Sequence, residues 1–359
     1  MRFRLFGRML LAAALLCLAT ATATAQQYNM VVLGPCGTST QYLPYAGLNN
    51  QGDVVGYNSQ VNSAVIYRGG AITSLGLGHA AGTAINNLGQ VALYSSTSFH
   101  SYLFDPAYAG RLVDLGTLGG GGGLHGGGVT SATAMNDRGT IVGSSSVPGT
   151  VHHAFVYANG SISDLGSLGG DSTASGINNF GQIVGTSTDS NGYQRAFQMI
   201  NGTMTDLDPS NPAYDSVASG INDSGQIVVV TNKAWHLVQV SRNKLLWVAY
   251  RGPYWYTLLY SGGRYTDLGN LGTTLGTQGG SINTGGDVVG FSYSSPGVQH
   301  AFLYHAGHML DLNSHVNNLA GWTLWSANNI NDWGQIVCFG HGPDGVPQIV
   351  LLIPEGIGV

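Results

Sequence analysis

A short turn phrase recurs seven times along this chain and limits the folds that it can adopt. Each copy has an apolar residue and Asn, two variable positions, Gly, a polar residue and two apolar residues. The asparagines are Asn49, Asn86, Asn136, Asn178, Asn222, Asn283 and Asn331, at steps of 37, 50, 42, 44, 61 and 48 residues. A repeated unit of about 40 to 45 residues has the length of one β-propeller blade.

Each repeat also contains the strands that a blade needs. The spacing of Asn and Gly suits a tight β-hairpin, because Asn can bond its own backbone two residues on and Gly accepts a positive φ. A third strand follows, clearest at residues 153–157 and 300–304, and then a fourth that ends in Asp-Leu, as at Asp164 and Asp311. Four short antiparallel strands are the anatomy of a blade.

The two ends of the chain predict a closed ring. The last unit has its hairpin at Asn331 and a third strand near residues 348–352, but no fourth strand follows. Residues 28–34 look like the end of a unit that has no beginning, and pairing the two segments would remove two exposed strand edges. We therefore predict an all-β, seven-bladed propeller, with six or eight blades as alternatives. It forms a single domain at residues 26–359, with an insertion at about residues 229–256.

The first 25 residues predict export. Arg2, Arg4 and Arg8 precede an apolar run at residues 9–18, and small residues stand at positions 23–25, as in a secretory signal peptide. No later segment has 18 uninterrupted apolar residues, so we expect no membrane anchor. The predicted location is extracellular or periplasmic, and the mature protein is expected to be a monomer.

The charge balance argues against nucleic acid as a partner. The signal peptide holds three of the twelve basic residues and none of the seventeen acidic ones, which leaves nine against seventeen and a formal net charge of −8. A nucleic-acid-binding domain usually carries a basic surface. We therefore expect no nucleic-acid partner.

The recurrent polar residues are predicted to be structural. A catalytic group is needed once, whereas the Asp of the Asp-Leu pair occurs five times, and His153 and His300 occupy equivalent places in two units. The only glutamate is Glu355, so no pair of acids can be chosen for a glycosidase. His152 and His153 lack a third metal ligand. The sequence predicts neither a metal site nor a cofactor.

Cys36 and Cys338 both map to the blade that the two termini would complete. An oxidising compartment permits a disulfide between them. Strands two apart in a sheet are ~9.5 Å from each other, which is too far for a bridge unless the loop at Cys36 folds back. The sequence leaves open a disulfide and two separate thiols.

The fifth unit carries the candidate recognition surface. Five of the nine mature basic residues and no acid lie between Lys233 and Arg264. Aromatic rings can stack on sugar faces while Arg forks onto carboxylate or sulfate. The candidate ligand-binding residues are Trp235, Lys244, Trp247, Arg251, Tyr254, Trp255 and Tyr256. The alternative is an extra hairpin of residues 235–239 and 245–250 whose aromatics only cover the blade edge.

Several motifs together resemble one family. His153-Ala154-Phe155, His300-Ala301-Phe302 and the segment Asp164-Leu165-Gly166 look like the HAF family of bacterial extracellular repeat proteins, over nearly all of the mature chain. The resemblance implies a secreted repeat protein with no assigned activity, although the fifth unit lacks the His-Ala-Phe motif.

We therefore expect a non-catalytic binding or scaffolding propeller whose ligand is an acidic or cell-surface glycan or another anionic polymer. One alternative is a polysaccharide-active lyase or hydrolase with its site at the axial mouth. The other is a purely structural matrix component.

Overall fold

The fold is known from a computed structural model of the chain. It describes residues 26–36, 46–108, 110–120, 128–149, 151–208, 214–241, 244–273 and 275–356, with the backbone alone for residues 233–241 and 244–253. The predicted signal peptide at residues 1–25 lies outside these ranges. Within them, no helix has the length and apolar character that crossing a bilayer requires.

The described residues form 28 strands in seven sheets, and each sheet is one four-stranded antiparallel blade. The strands are β1 (Tyr28–Pro35), β2 (Ala46–Leu48), β3 (Val54–Asn58), β4 (Ser63–Arg68), β5 (Ala71–Gly78), β6 (Ala80–Ile85), β7 (Val91–Ser95), β8 (Ser101–Asp105), β9 (Arg111–Asp114), β10 (Thr130–Met135), β11 (Ile141–Ser146), β12 (His152–Ala158), β13 (Ser161–Gly166), β14 (Gly169–Ile177), β15 (Ile183–Asp189), β16 (Gln194–Ile200), β17 (Thr203–Asp206), β18 (Ser216–Ile221), β19 (Ile227–Ser241), β20 (Lys244–Ser261), β21 (Arg264–Asp267), β22 (Thr277–Ile282), β23 (Val288–Ser295), β24 (Val298–His305), β25 (His308–Asp311), β26 (Thr323–Ile330), β27 (Ile336–His341) and β28 (Pro347–Pro354). Two short 3-10 helices, Pro106–Tyr108 and Leu312–Ser314, complete the regular structure.

The seventh blade joins the two ends of the chain. Blades 1 to 6 use four consecutive strands each, from β2 to β25, whereas blade 7 has the order β26, β27, β28 and β1. The N-terminal strand pairs antiparallel with the last strand, with Tyr28 opposite Pro354 and Val31 opposite Leu351. The predictions of seven blades and of closure by the N-terminal strand are confirmed.

The propeller has two different faces because its strands alternate in direction. The turns between first and second strands, and between third and fourth strands, lie on one face, which we call the turn face. The connections between second and third strands, and those that lead from blade to blade, lie on the opposite face, the linker face.

The apolar pair in each repeat serves two interfaces at once. Side chains of successive strand residues point to opposite faces of a sheet. Val54 packs against Val337 and Phe339 of blade 7, whereas Val55 packs against Val91 and Leu93 of blade 2. Seven such clusters lie between neighbouring blades. Burying one Val or Ile side chain is worth about 1.5–3 kcal/mol, so each pair stabilises the blade on both sides.

The turn asparagines form what we call the asparagine ring. The turn Gly has a φ of 73° to 86° in all seven copies, as predicted. Asn136 Oδ1 accepts hydrogen bonds from the backbone N–H of Arg138 and Thr140 at 3.1 and 3.0 Å. Its Nδ2 donates to the backbone oxygen of Asn178 in the next blade at 3.1 Å. The same bond to the next blade occurs at all seven turns, over 3.0 to 3.3 Å.

Deleting residues 26–36 should destabilise the whole ring. The deletion removes β1 and leaves β28 with an unpaired edge above buried side chains. We expect aggregation or a much lower unfolding temperature, measured by calorimetry and size-exclusion chromatography against residues 26–359. A truncated protein that unfolds at the same temperature as the full mature chain would contradict closure by β1.

Asn136→Ala should cost about 2–4 kcal/mol of unfolding free energy, because two backbone N–H groups and one carbonyl lose their partner. Asn136→Asp keeps the acceptor and loses the donor to Asn178, so it should also destabilise the fold. The exposed neighbour Arg138 is the matched control, and Arg138→Ala should change stability by less than ~0.5 kcal/mol. Denaturant unfolding gives all three values, and equal stability of the Asn136 and Arg138 variants would refute the structural role of the ring.

Candidate functional site

The insertion in the fifth unit is a long hairpin that continues the blade's own strands. The second strand ends at Ser146 in blade 3 and at Asp189 in blade 4, whereas β19 of blade 5 runs on to Ser241. Lys233 lies opposite Arg251, and Gln239 lies opposite Leu245. We call residues 233–241 and 244–253 the blade-5 hairpin. It leaves the blade from the linker face.

The register places the candidate residues along this hairpin. Trp235 lies opposite Ala249, and Leu237 lies opposite Trp247. Because opposite positions share a face and alternate positions along a strand return to it, positions 235, 247 and 251 belong to one face of the ladder. Position 244 belongs to the other face. Ligand binding by the hairpin and coverage of the blade edge by its aromatic residues both stay predictions.

The other three candidates lie where the hairpin joins the blade. The register passes from Thr231 opposite Tyr256 to Lys233 opposite Arg251, so four residues of β20 bulge out between them. One of the four is Pro253, which has no N–H to donate to the ladder. Tyr254 in this bulge is exposed, and Trp255 and Tyr256 are half-buried.

Trp255 lines a cavity of about 350 Å³ at the root of the hairpin, which we call the root cavity. The wall also contains Gln194 of blade 4, Ser219 of blade 5 and Gln278 of blade 6. The backbone at the start of blade 6 approaches the backbone of Trp255 closely. A Cβ at Gly276, where φ is +104°, would lie 2.5 Å from the Trp255 carbonyl oxygen, so only glycine permits this close approach.

Gln194 and Gln278 were not found by sequence reasoning. Both side chains are exposed and can donate and accept hydrogen bonds. Gln278 stands five residues before the turn Asn, where blades 2 and 3 have Ala81 and Ser131. A long polar residue among small ones was therefore a signal that alignment of the repeats could have shown.

The central channel is narrow and has small side chains on its wall. The first strands of the seven blades enclose about 310 Å³, and the lining residues include Gly47, Thr83 and Ser175. At the turn face, the seven turns enclose a further 180 Å³.

Three carboxylates at this mouth, Asp137, Asp223 and Asp332, accept hydrogen bonds from neighbouring turns. Asp332 accepts from the backbone N–H and the hydroxyl of Thr284, at 2.9 and 2.8 Å, and from Asn50. Burial opposes ionisation of Asp332, but these hydrogen bonds outweigh it and lower the pKa of the carboxyl below its usual value. The alternative site at the axial mouth would have to use carboxylates that already hold the turns together.

The histidines of the repeat pair with the recurrent aspartates. His153 Nδ1 lies 2.9 Å from the Asp164 carboxylate, and His300 Nδ1 lies 2.7 Å from Asp311. Asp164 also accepts from the backbone N–H of Gly166 and so caps its turn. Each of these His-Asp pairs therefore joins the third and fourth strands of one blade. Among the described residues, no three His, Cys, Asp or Glu side chains converge as a metal site would require.

Blade 4 has an arginine where these histidines stand. Arg195 is 1% exposed and donates to Asp206 Oδ2 at 2.9 Å and to the backbone oxygens of Tyr214 and Asp208. A buried charge needs such partners to offset its loss of solvation. The guanidinium therefore fastens the connection between blades 4 and 5.

The candidate disulfide between Cys36 and Cys338 is not present. Both cysteines are free and buried. They belong to the same blade, but Cys338 packs with Val289 and Ala301 of blade 6, whereas Cys36 packs with Val54 and Val65 of blade 1. The two thiols therefore lie on opposite sides of the blade, and burial raises the pKa of each.

Comparisons with known proteins identify the fold alone. No protein-family model matches the chain, and no curated protein is found to be similar to it. A puromycin-hydrolyzing peptidase of Mycobacterium tuberculosis has a TM-score of 0.57 at 11% identity, over 92% of this chain and 55% of that one. Virginiamycin B lyase from Staphylococcus aureus has a TM-score of 0.55 at 13% identity, over 91% and 99%.

A puromycin hydrolase has a TM-score of 0.54 at 15% identity, over 86% of this chain and 51% of that one. This chain therefore spans about half the length of the two puromycin-hydrolysing proteins. The resemblance to HAF repeat proteins stays a prediction.

Thiol labelling tests whether Cys36 and Cys338 are two separate thiols. Residues 26–359, denatured without reductant, should show two reactive thiols, and the native protein should label slowly because both thiolates are disfavoured by burial. V61C places a thiol at an exposed position and should label at once in the native state. Failure to label the denatured protein until reductant is added would mean that the bridge exists.

Proposed function

We propose that the protein is a secreted binding propeller that holds an acidic polysaccharide along the blade-5 hairpin and in the root cavity. The observation that carries this proposal is the position of Trp255, which lines one cavity together with Gln194 and Gln278. Three different blades supply these groups, so the site depends on the assembled ring.

The chemistry of the root cavity suits a sugar. An aromatic ring offers a flat apolar surface to the C–H face of a pyranose. Each Gln amide offers both a donor and an acceptor, which can match neighbouring hydroxyl groups. A volume of about 350 Å³ lies in the range of small-molecule sites and accommodates one or two sugar units.

The charge of the surrounding segment favours an acidic polymer. Five basic residues and no acid lie between Lys233 and Arg264, in a mature chain whose formal charge is negative. Arg can bind carboxylate or sulfate through two parallel hydrogen bonds. A basic hairpin that continues from the sugar cavity therefore provides contacts along an acidic chain, and the predicted signal peptide would bring the protein to the compartment where such polymers occur.

Binding to polygalacturonate, with neutral dextran as comparison, tests this proposal. Trp255→Ala and Gln278→Ala should each weaken polygalacturonate binding, the first on the order of tenfold because a stacking surface is lost. Lys244→Glu with Arg251→Glu should remove most of the remaining affinity at low salt, because like charges then face each other. Calorimetric titration measures the affinities, and circular dichroism checks the fold.

Tyr108→Ala removes an exposed aromatic ring from blade 2 and should bind like the parent. Unchanged affinity in both the Trp255 and the charge-reversal variants would overturn the proposed site. Release of reducing ends or unsaturated sugars from the polymer would favour the lyase or hydrolase alternative instead.

A further inference from the structure

A second cavity lies on the turn face, at the seam where the ring closes between blades 7 and 1. Its volume is about 520 Å³. Val31, Leu351 and Ile353 line it from blade 7, Tyr67 and Ile72 line it from blade 1, and Trp333 and Gln335 lie in the turn of blade 7. We call it the seam groove. It is formed by other blades than the root cavity and opens on the opposite face.

The groove presents apolar side chains to solvent. Ile72 is 52% exposed and Trp333 is 60% exposed, although both are large and apolar. Val31 lies directly opposite Leu351 in the ladder, so the two share the groove face of blade 7. A concave apolar surface of this kind indicates a ligand or partner site.

The mouth of the groove is held open by glycine. Blade 1 passes from β4 to β5 through Gly69 and Gly70, both with positive φ, and a Cβ at either position would meet nothing within 4 Å. In blades 3 and 4 the same turn carries Asn159 and Asn201. The glycine pair therefore leaves free space beside Ile72.

One amide donor on the wall of the groove has no hydrogen-bond partner among the described residues. Gln335 is 8% exposed, and its Oε1 accepts from Asn331 at 2.7 Å. Its Nε2 makes no hydrogen bond with any residue in the described ranges. In blade 2 the equivalent Gln90 donates its Nε2 to Asp105 at 2.7 Å. The Nε2 group therefore keeps contact with solvent in the groove, and a ligand that carries an acceptor can take the place of water there.

Among the described residues of its wall, the groove has no charged side chain that is available to a ligand. The charged residue on its wall is Arg68, whose guanidinium binds Asp53 through two bonds of 2.9 and 2.7 Å. Successive residues of β4 face opposite sides, and Tyr67 packs toward blade 7, so the Arg68 side chain faces blade 2. An ionised headgroup would enter the groove without a counter-charge, at a high desolvation cost.

We propose that the seam groove binds a neutral acyl compound: an apolar chain that ends in an ester or amide carbonyl. The chain lies against Val31, Ile72 and Trp333, and the carbonyl oxygen accepts a hydrogen bond from Gln335 Nε2. An acyl group of a lipid and a free acylated small molecule share this chemistry.

Methyl decanoate is the probe, with decanoate as its charged analogue. Calorimetric titration of residues 26–359 should show binding of the ester and at least tenfold weaker binding of the carboxylate. Gln335→Glu keeps the acceptor for Asn331 and removes the donor, so ester affinity should fall about fivefold. Gln182→Glu makes the same change in blade 4, where Gln182 also accepts from the turn Asn, and should bind the ester like the parent.

Ile72→Asp adds a carboxylate at an exposed position of the groove and should reduce ester binding more than tenfold. Ile200→Asp, at an exposed position of blade 4, is its control. Both variants should bind polygalacturonate like the parent, which separates this proposal from the linker-face site. Should the parent fail to bind the ester, or should Gln335→Glu and Ile72→Asp bind it unchanged, the proposal is overturned.

Preference between phospholipid vesicles and the soluble ester identifies the source of the acyl group. Vesicles of neutral phosphatidylcholine that compete with methyl decanoate in the parent, and do not bind Ile72→Asp, would assign the groove to a lipid acyl chain. Binding of the ester without such competition would assign it to a free acylated molecule.

Discussion

The amide-to-carbonyl bond from each turn asparagine to the next blade is the interaction on which the ring depends. Its seven copies form a closed circuit, and the last bond runs from Asn331 to the backbone oxygen of Asn49 at 3.0 Å, across 282 residues of sequence. The buried side chain satisfies its own turn with its oxygen and the neighbouring turn with its nitrogen. Burying these backbone groups without partners would be costly. Asn therefore recurs because one side chain closes its own turn and also forms a hydrogen bond to the neighbouring blade.

The part of the fold that follows from local chemistry could be predicted from the sequence. Turn spacing, alternation and the unmatched strands at the two ends predicted the blade number and the closure, and the structure confirms both. The partner of the asparagine Nδ2 could not be predicted, because it lies in the next repeat. The sequence left the relation between Cys36 and Cys338 open for a similar reason. Both were assigned to the correct blade, but β1 shifts register between Val32 and Gly34, so the side that Cys36 faces depends on an irregularity.

The sequence indicated one part of the candidate site, the insertion, but not the other part, the root cavity. The excess length and the basic, aromatic composition of the fifth unit indicated an insertion, and the strands in this segment pair as a hairpin. The root cavity was not predicted, because Trp255 meets Gln194 and Gln278 only when blades 4, 5 and 6 stand side by side. Amino-acid composition can indicate which segment is unusual. Predicting a cavity also requires the distances between segments that are far apart in the sequence.

The two proposed sites arise from two departures from the repeat. The first is an inserted hairpin, which adds groups that the other blades lack. The second is closure itself. In blade 2, Asp105 lies opposite Gln90 and accepts from its Nε2, whereas the equivalent position in blade 7 is Ile353, whose side chain has no acceptor for Gln335. Blade 4 likewise has an isoleucine, Ile200, opposite Gln182, so the feature that distinguishes the seam is the apolar groove that opens beside the donor.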